Sequence, residues 1–154
     1  PVLVGELLAT LEGMYDYIII DAPPAINDVV LKCFDMADSY LLLTALDMLS
    51  LKNIKLTLDT LDVLGYPRSR WEVVLNRFDA KVGLTVKDVE QVIGMRITTR
   101  LPSSKDVPAA LNSGIALSTQ SPRHPFSRAI RGLAEHVSQA VPVAPSLALS
   151  GGRP

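Results

Sequence analysis

The chain has a single cysteine, Cys33, in 154 residues, so no internal disulfide framework can form and a reducing compartment fits. Cys33 falls within the apolar pattern Ile26, Val29, Val30, Cys33, Phe34, where a small buried side chain is expected. There is no surplus of basic charge. Fifteen Lys and Arg stand against sixteen Asp and Glu, for a net charge of -1 and a pI near 6.1. That removes the electrostatic footprint of a protein that tracks phosphate backbones, so no nucleic acid is expected as a partner. Apolar runs of membrane length are missing, and no basic segment followed by an apolar one opens the chain as a signal peptide would. The two histidines, His124 and His136, lack metal-ligand companions and read as surface or helix-face residues. No Ser-His-Asp or Cys-His nucleophile arrangement has persuasive spacing. A cytoplasmic protein is the expectation. The chain opens on Pro1 rather than methionine and runs straight into a helical pattern with Leu7, Leu8 and Leu11 on one face, as the inside of a longer protein would.

What is present is enough apolar material for a core: 48% of residues are hydrophobic and 20% charged. Residues 1–141 read as one domain, and the Pro, Ala, Ser and Gly of residues 142–154 as a disordered tail. The continuous run Tyr17-Ile18-Ile19-Ile20 predicts a strand buried on both faces, delivering Asp21 to the point where Pro23 and Pro24 stop it. Tyr40-Leu41-Leu42-Leu43-Thr44 predicts a second buried strand, residues 71–75 a third and residues 97–101 a weaker fourth. Between them lie helical patterns. Ser50 offers an N-cap to a helix with Leu51, Ile54, Leu58, Leu61 and Leu64 on one face, stopped by Gly65 and Pro67. Thr85 and Asp88 have capping-box spacing before Val86, Val89, Val92 and Ile93, and Gly94 ends that helix. Further helices are expected at residues 106–112, ending at Gly114, and at residues 125–141 with Phe126, Ile130, Leu133 and Val137 inward. Alternation at this spacing predicts an α/β fold: a mainly parallel sheet flanked by helices, joined by right-handed crossovers.

Ligands of such sheets bind at the carboxyl edge of the strands. Three signals fall there: Asp21 after the first strand, Asn76 with Arg77 after the third, and Pro102-Ser103-Ser104-Lys105-Asp106 after the fourth. Each alone is also ordinary turn or capping chemistry.

Taken together, these residues resemble the MinD/ParA family of P-loop ATPases, and within it the CpaE/TadZ-like proteins of Flp (Tad) pilus assembly. The likeness covers about residues 7–140. It is carried by Tyr15 through Pro24, by Ala37-Asp38 ahead of Leu41-Leu42-Leu43-Thr44, by Val74-Leu75-Asn76-Arg77, and by Leu101-Pro102 with Asp106, Asn112 and Gly114. Ser121 through Ile130, and Val82-Gly83-Leu84 with Asp88, Val89, Glu90 and Gly94, resemble the pilus branch. The resemblance implies a P-loop NTPase-like fold that binds ATP and Mg2+, dimerises, and positions pilus or secretion assembly proteins. It implies that Asp21 is the catalytic and metal-facing carboxylate, holding magnesium through water. It also implies that Asn76, with Arg77, reads adenine through its amide, and that Pro102 and Ser103 lie against the base with Asp106 at the rim.

The pattern departs from that family in one respect. No glycine is followed by lysine, so the loop that cradles phosphate in backbone N–H groups is not in this sequence. In the family it lies upstream of the matched region, so the chain reads as a C-terminal portion, incomplete at its N-terminus, with weak ATP binding at most and no useful hydrolysis by itself. The alternative is a nucleotide-binding-deficient localisation or scaffold protein of the same assembly. The family places the P-loop strand between the strand ending at Asp21 and residues 40–44, which leaves those two about 10 Å apart where neighbours lie roughly 5 Å apart. Either they close into a new pairing or this part is loose. The family's basic, membrane-targeting terminal helix has no counterpart in residues 142–154, so no stable membrane anchor is expected.

Overall fold

The computed structural model describes residues 1–140, so the expected tail lies outside the described residues. Among the described residues the chain divides into two compact units, one of Pro1–Asp38 with residues 138–140, the other Ser39–Val137.

In the first unit, α1 (Val2–Glu12) packs on α2 (Asp28–Met36). Asn27 caps α2, its side-chain oxygen accepting the N–H groups of Val29 and Val30 at 3.0 Å. Leu8 and Val30 are buried, and the Lys32 stem crosses Gly5 so closely that a Cβ there would lie 2.8 Å from its Cε. Residues 17–20 do not form the expected strand. Ile19 is 92% exposed, and Asp21 is exposed in a stretch with no regular structure. An apolar run signals a demand for burial, but a strand exists only where a neighbour supplies ladder hydrogen bonds. No described strand pairs with this run, and the new pairing considered for residues 40–44 does not form either.

The second unit is built on three parallel strands, β1 (Tyr40–Ala45), β2 (Trp71–Asn76) and β3 (Thr99–Leu101), in the order β1-β2-β3. α3 (Met48–Val63) connects the first two and α4 (Val86–Ile93) the second pair. The central strand is covered on both faces, with Trp71, Val73, Val74 and Leu75 all buried. β1 is covered on one face only. Tyr40, Leu42 and Thr44 are buried on the covered face, whereas Leu41 and Leu43 on the other face are exposed. β3 is shorter than expected. Thr98 donates its N–H to the Val73 carbonyl, but its hydroxyl takes the Val73 N–H that a strand carbonyl would accept.

α3 begins three residues earlier than Ser50 suggests. Asp47 is the N-cap, its carboxylate accepting the Ser50 N–H at 2.8 Å and the Ser50 hydroxyl at 2.7 Å. Leu51, Ile54, Leu58 and Leu61 are buried as expected; Leu64 falls just past the helix and is half exposed. Gly65, at φ +78°, ends α3 in a Schellman arrangement: Tyr66 N–H bonds to Leu61 and Gly65 N–H to Asp62. The Thr85–Asp88 capping box forms as its spacing predicts. α5 (Asp106–Ser113) ends on left-handed Gly114. A short α6 (Leu117–Gln120), not foreseen, precedes α7 (Pro125–Ala140). Ser127 of α7 is fully buried, its hydroxyl donating to the Leu117 carbonyl. No helix among the described residues is long and apolar enough to cross a membrane.

Candidate functional site

The parallel register aligns the strand ends. Ala45, Asn76 and Leu101 are partners across the sheet, so the segments leaving all three strands emerge at one edge. Asn76 is half buried there. The next residue, Arg77, sits at φ +51°, a left-handed conformation uncommon outside glycine. The chain doubles back after this turn. Phe78 N–H reaches the Leu101 carbonyl at 3.1 Å, and Ala80 N–H the Arg77 carbonyl at 3.0 Å. Asp79 is thereby brought to the loop after β3, where its Oδ1 accepts the Ser103 N–H at 2.7 Å. Hydrogen bonds from the Ser103 side chain and backbone hold the Asp79 carboxyl below the ordinary aspartate range.

The far end of that loop is tied as well. The Ser104 hydroxyl accepts the N–H of Asp106 in the first turn of α5, at 3.0 Å. His124 Nδ1 accepts the Phe126 N–H at 3.1 Å, which places the proton of a neutral imidazole on Nε2. Nε2 faces both Ser104 Oγ and Asp106 Oδ2 at 3.4 Å. A serine, a histidine and an aspartate therefore meet, but not as a nucleophilic triad. That mechanism needs one ring nitrogen on the serine and the other on the carboxylate, whereas here Nε2 serves both and Nδ1 is occupied by the backbone.

Among the expected site residues, Asn76, Arg77, Pro102, Ser103 and Asp106 come together at this edge, with Asn76 and Pro102 half buried and the other three exposed. Asp21 belongs to the other unit and is described there. Sequence reasoning included Ser104 in the loop signal but missed Asp79 and His124. Of the two histidines expected at the surface or on a helix face, His124 is half buried against the loop, and His136 is exposed on α7 with Nε2 3.2 Å from Glu72 Oε1. A shallow groove of about 420 Å³ lies at the same edge, lined by Leu46, Phe78, Val82, Leu84 and Val86 among others.

The chemistry available here is recognition. An amide that both donates and accepts, the apolar face of a proline ring and a braced loop suit a planar heterocycle with polar edges. No group of three or more His, Cys, Asp or Glu that could hold a metal exists among the described residues.

The brace predicts a pH signature. A carboxyl whose folded pKa is depressed contributes above its unfolded value and loses that contribution as pH falls through the folded one. Amide exchange should therefore show Ser103 protection falling below about pH 4 in the wild type. Asp79→Asn keeps a neutral acceptor and should make the protection insensitive to pH over this range; Asp79→Ala should abolish it throughout. Equal protection in all three proteins would show that Asp79 does not hold the loop.

The parallel sheet and its crossover helices form an α/β domain of the P-loop NTPase-like kind. No family model matches the chain. The septum site-determining protein MinD of Thermotoga maritima is 28% identical over 109 residues, covering 68% of this chain and 40% of MinD. A ParA family ATPase from Chlorobium tepidum superposes with a TM-score of 0.80 at 29% identity, over 86% of this chain and 55% of the ATPase. MinD of Pyrococcus horikoshii, solved in complex with Mg-ADP, superposes with a TM-score of 0.74 at 20% identity, over 88% of this chain and 56% of that protein. The chain thus has the fold of the MinD/ParA ATPases and is related to them in sequence, while spanning less than two thirds of the length of each.

Proposed function

We propose that this chain is the base-binding portion of a MinD/ParA-type ATP-binding protein that dimerises with ATP and positions Flp (Tad) pilus or secretion assembly proteins in the cytoplasm. One observation carries the reading: Asn76 and the Pro102–Asp106 loop meet at one sheet edge, with Asp79 fixing that loop. Asn76 presents its amide to the adenine edge, Pro102 and Ser103 line the base, and Arg77 and Asp106 stand at the rim. The residues present fit a purine base. They do not fit the phosphates, because the sequence has no Gly-Lys pair to cradle them, and no described cluster fits a metal. Asp21 is assigned the water-mediated contact to magnesium on the sequence pattern around it. When bound, Mg2+ would neutralise phosphate charge; no hydrolytic step is assigned to this chain. Support for the pilus branch comes from residues 121–130 and from Val82-Gly83-Leu84.

The test is an NMR titration of the purified chain with adenosine and with Mg-ATP, alongside a turnover assay. Expected are weak, similar affinities for both ligands, shifts centred on Asn76 and residues 102–106, and no ATP turnover. Shifts absent from this edge would overturn the site. Clear turnover abolished by Asp21→Ala would refute the assignment of this chain as a base-binding portion alone.

A further inference from the structure

α3 has two apolar faces. Leu51, Ile54, Leu58 and Leu61 point into the core. On the opposite side Leu49, Leu56 and Val63 are 69%, 64% and 87% exposed. Spaced seven apart, these three lie on one line along the helix, the spacing of a helix-pairing seam. Single exposed leucines are ordinary, but three in line form a patch. The flanks of the line differ. Lys52 and Asp59 lie along one side, with Asp59 also paired to Lys55 one turn back, and Asn53 and Thr60 lie along the other. The Thr57 and Thr60 hydroxyls already donate to the Asn53 and Leu56 carbonyls, at 3.0 and 2.8 Å, so covering this face strands neither donor.

We propose that a second copy of this chain covers the stripe, the two α3 helices running antiparallel about a two-fold axis at Leu56. Charge decides both the occupant and the direction. A two-fold axis perpendicular to the helix pair brings like flanks together in opposite directions. Lys52 then lies beside the partner's Asp59, and Asn53 beside the partner's Thr60, each twice. Leu49 meets the partner's Val63, and Leu56 meets its own copy. A parallel pair would set the Lys52–Asp59 flank against Asn53 and Thr60, leaving Lys52 with no opposite charge across the seam and Asp59 with only its bond to Lys55 in its own helix. Exposed charges such as these set register and partner more than affinity. A 16-residue helix is about 24 Å long, and its footprint is smaller than the roughly 1,200 Å² total of long-lived complexes, so the pairing is reversible and concentration-dependent. It is separate from the nucleotide reading and needs no ATP.

Sedimentation equilibrium of the full chain without nucleotide, over a hundredfold range of concentration, should give a monomer–dimer equilibrium. Leu56→Glu, which puts like charges on the axis, should weaken it by at least about a hundredfold while leaving the melting temperature unchanged at concentrations where both proteins are monomeric, since Leu56 is exposed in the monomer. Lys52→Asp and Asp59→Lys should each weaken pairing, and the double swap should restore it. In a Cys33→Ser background, Leu56→Cys should oxidise to a cross-linked dimer while Lys87→Cys, exposed on α4, does not. A chain that stays monomeric throughout, a dimer indifferent to Leu56→Glu, a double swap that fails to restore, or association that appears only with ATP would each overturn the proposal.

Discussion

Leu75→Ala is expected to destabilise the Ser39–Val137 unit by about 2–5 kcal/mol, a large share of the roughly 5–15 kcal/mol that holds a domain folded. Leu75 is fully buried in the central strand, opposite Thr44 of β1 and Arg100 of β3. Helices and flanking strands enclose that strand on every side, so the space left by truncation cannot collapse, and the cavity cost adds to the lost transfer energy. Denaturant unfolding checks it: the midpoint should fall with little change in slope, because the area exposed on unfolding is nearly the same. Leu43→Ala is the control. Leu43 is 62% exposed on β1, and its loss should cost within about 0.5 kcal/mol. Equal effects at the two positions would mean that β2 is not the centre of the core. The position matters for the site as well, since the next residue, Asn76, takes its place at the sheet edge from the ladder that Leu75 anchors.

The parts of the fold legible in the sequence are those whose determinants are local. The Thr85–Asp88 box closes over three residues, and Gly94 and Gly114 stop helices through their own left-handed backbones. Where two residues of the same capping type stand close together, pattern alone chose wrongly: Asp47 caps α3 and Ser50 serves as its donor. The run at residues 17–20 failed for a different reason. Its apolarity is local, but a strand depends on a partner elsewhere, and no described strand supplies one. The same distinction divides the candidate site. Strand-end rules placed Asn76 and Pro102 at a shared edge, which the register aligns. The bond from Asp79 to Ser103 spans 24 residues and the contact of His124 with Ser104 spans 20, and both depend on how two loops fold back. The left-handed turn at Arg77, which starts that return, has no sequence signal, because an arginine is not a residue from which positive φ is inferred.

Asn76→Ala should weaken adenosine binding by about 5- to 150-fold, the equivalent of the roughly 1–3 kcal/mol lost when a buried polar contact is left unmade. Asparagine suits adenine because one amide can accept from the exocyclic amino group while donating to an adjacent ring nitrogen. Asn76 is half buried at a strand end, so its backbone position is set by the sheet ladder. Asn76→Asp is the more discriminating variant. It keeps the acceptor and removes the donor, so adenine loses one of two contacts, while guanine, which offers adjacent N–H donors on its pairing edge, gains an acceptor matched to it. Titrations of the wild type and both variants with adenosine and guanosine should show preference moving from adenine toward guanine in Asn76→Asp and affinity falling for adenosine in Asn76→Ala. Because Asn76 ends the strand rather than filling the core, melting should stay close to wild type, which separates loss of recognition from loss of fold. If Asn76→Ala binds adenosine as tightly as the wild type, the amide does not read the base, and the edge at residues 102–106 needs a different ligand.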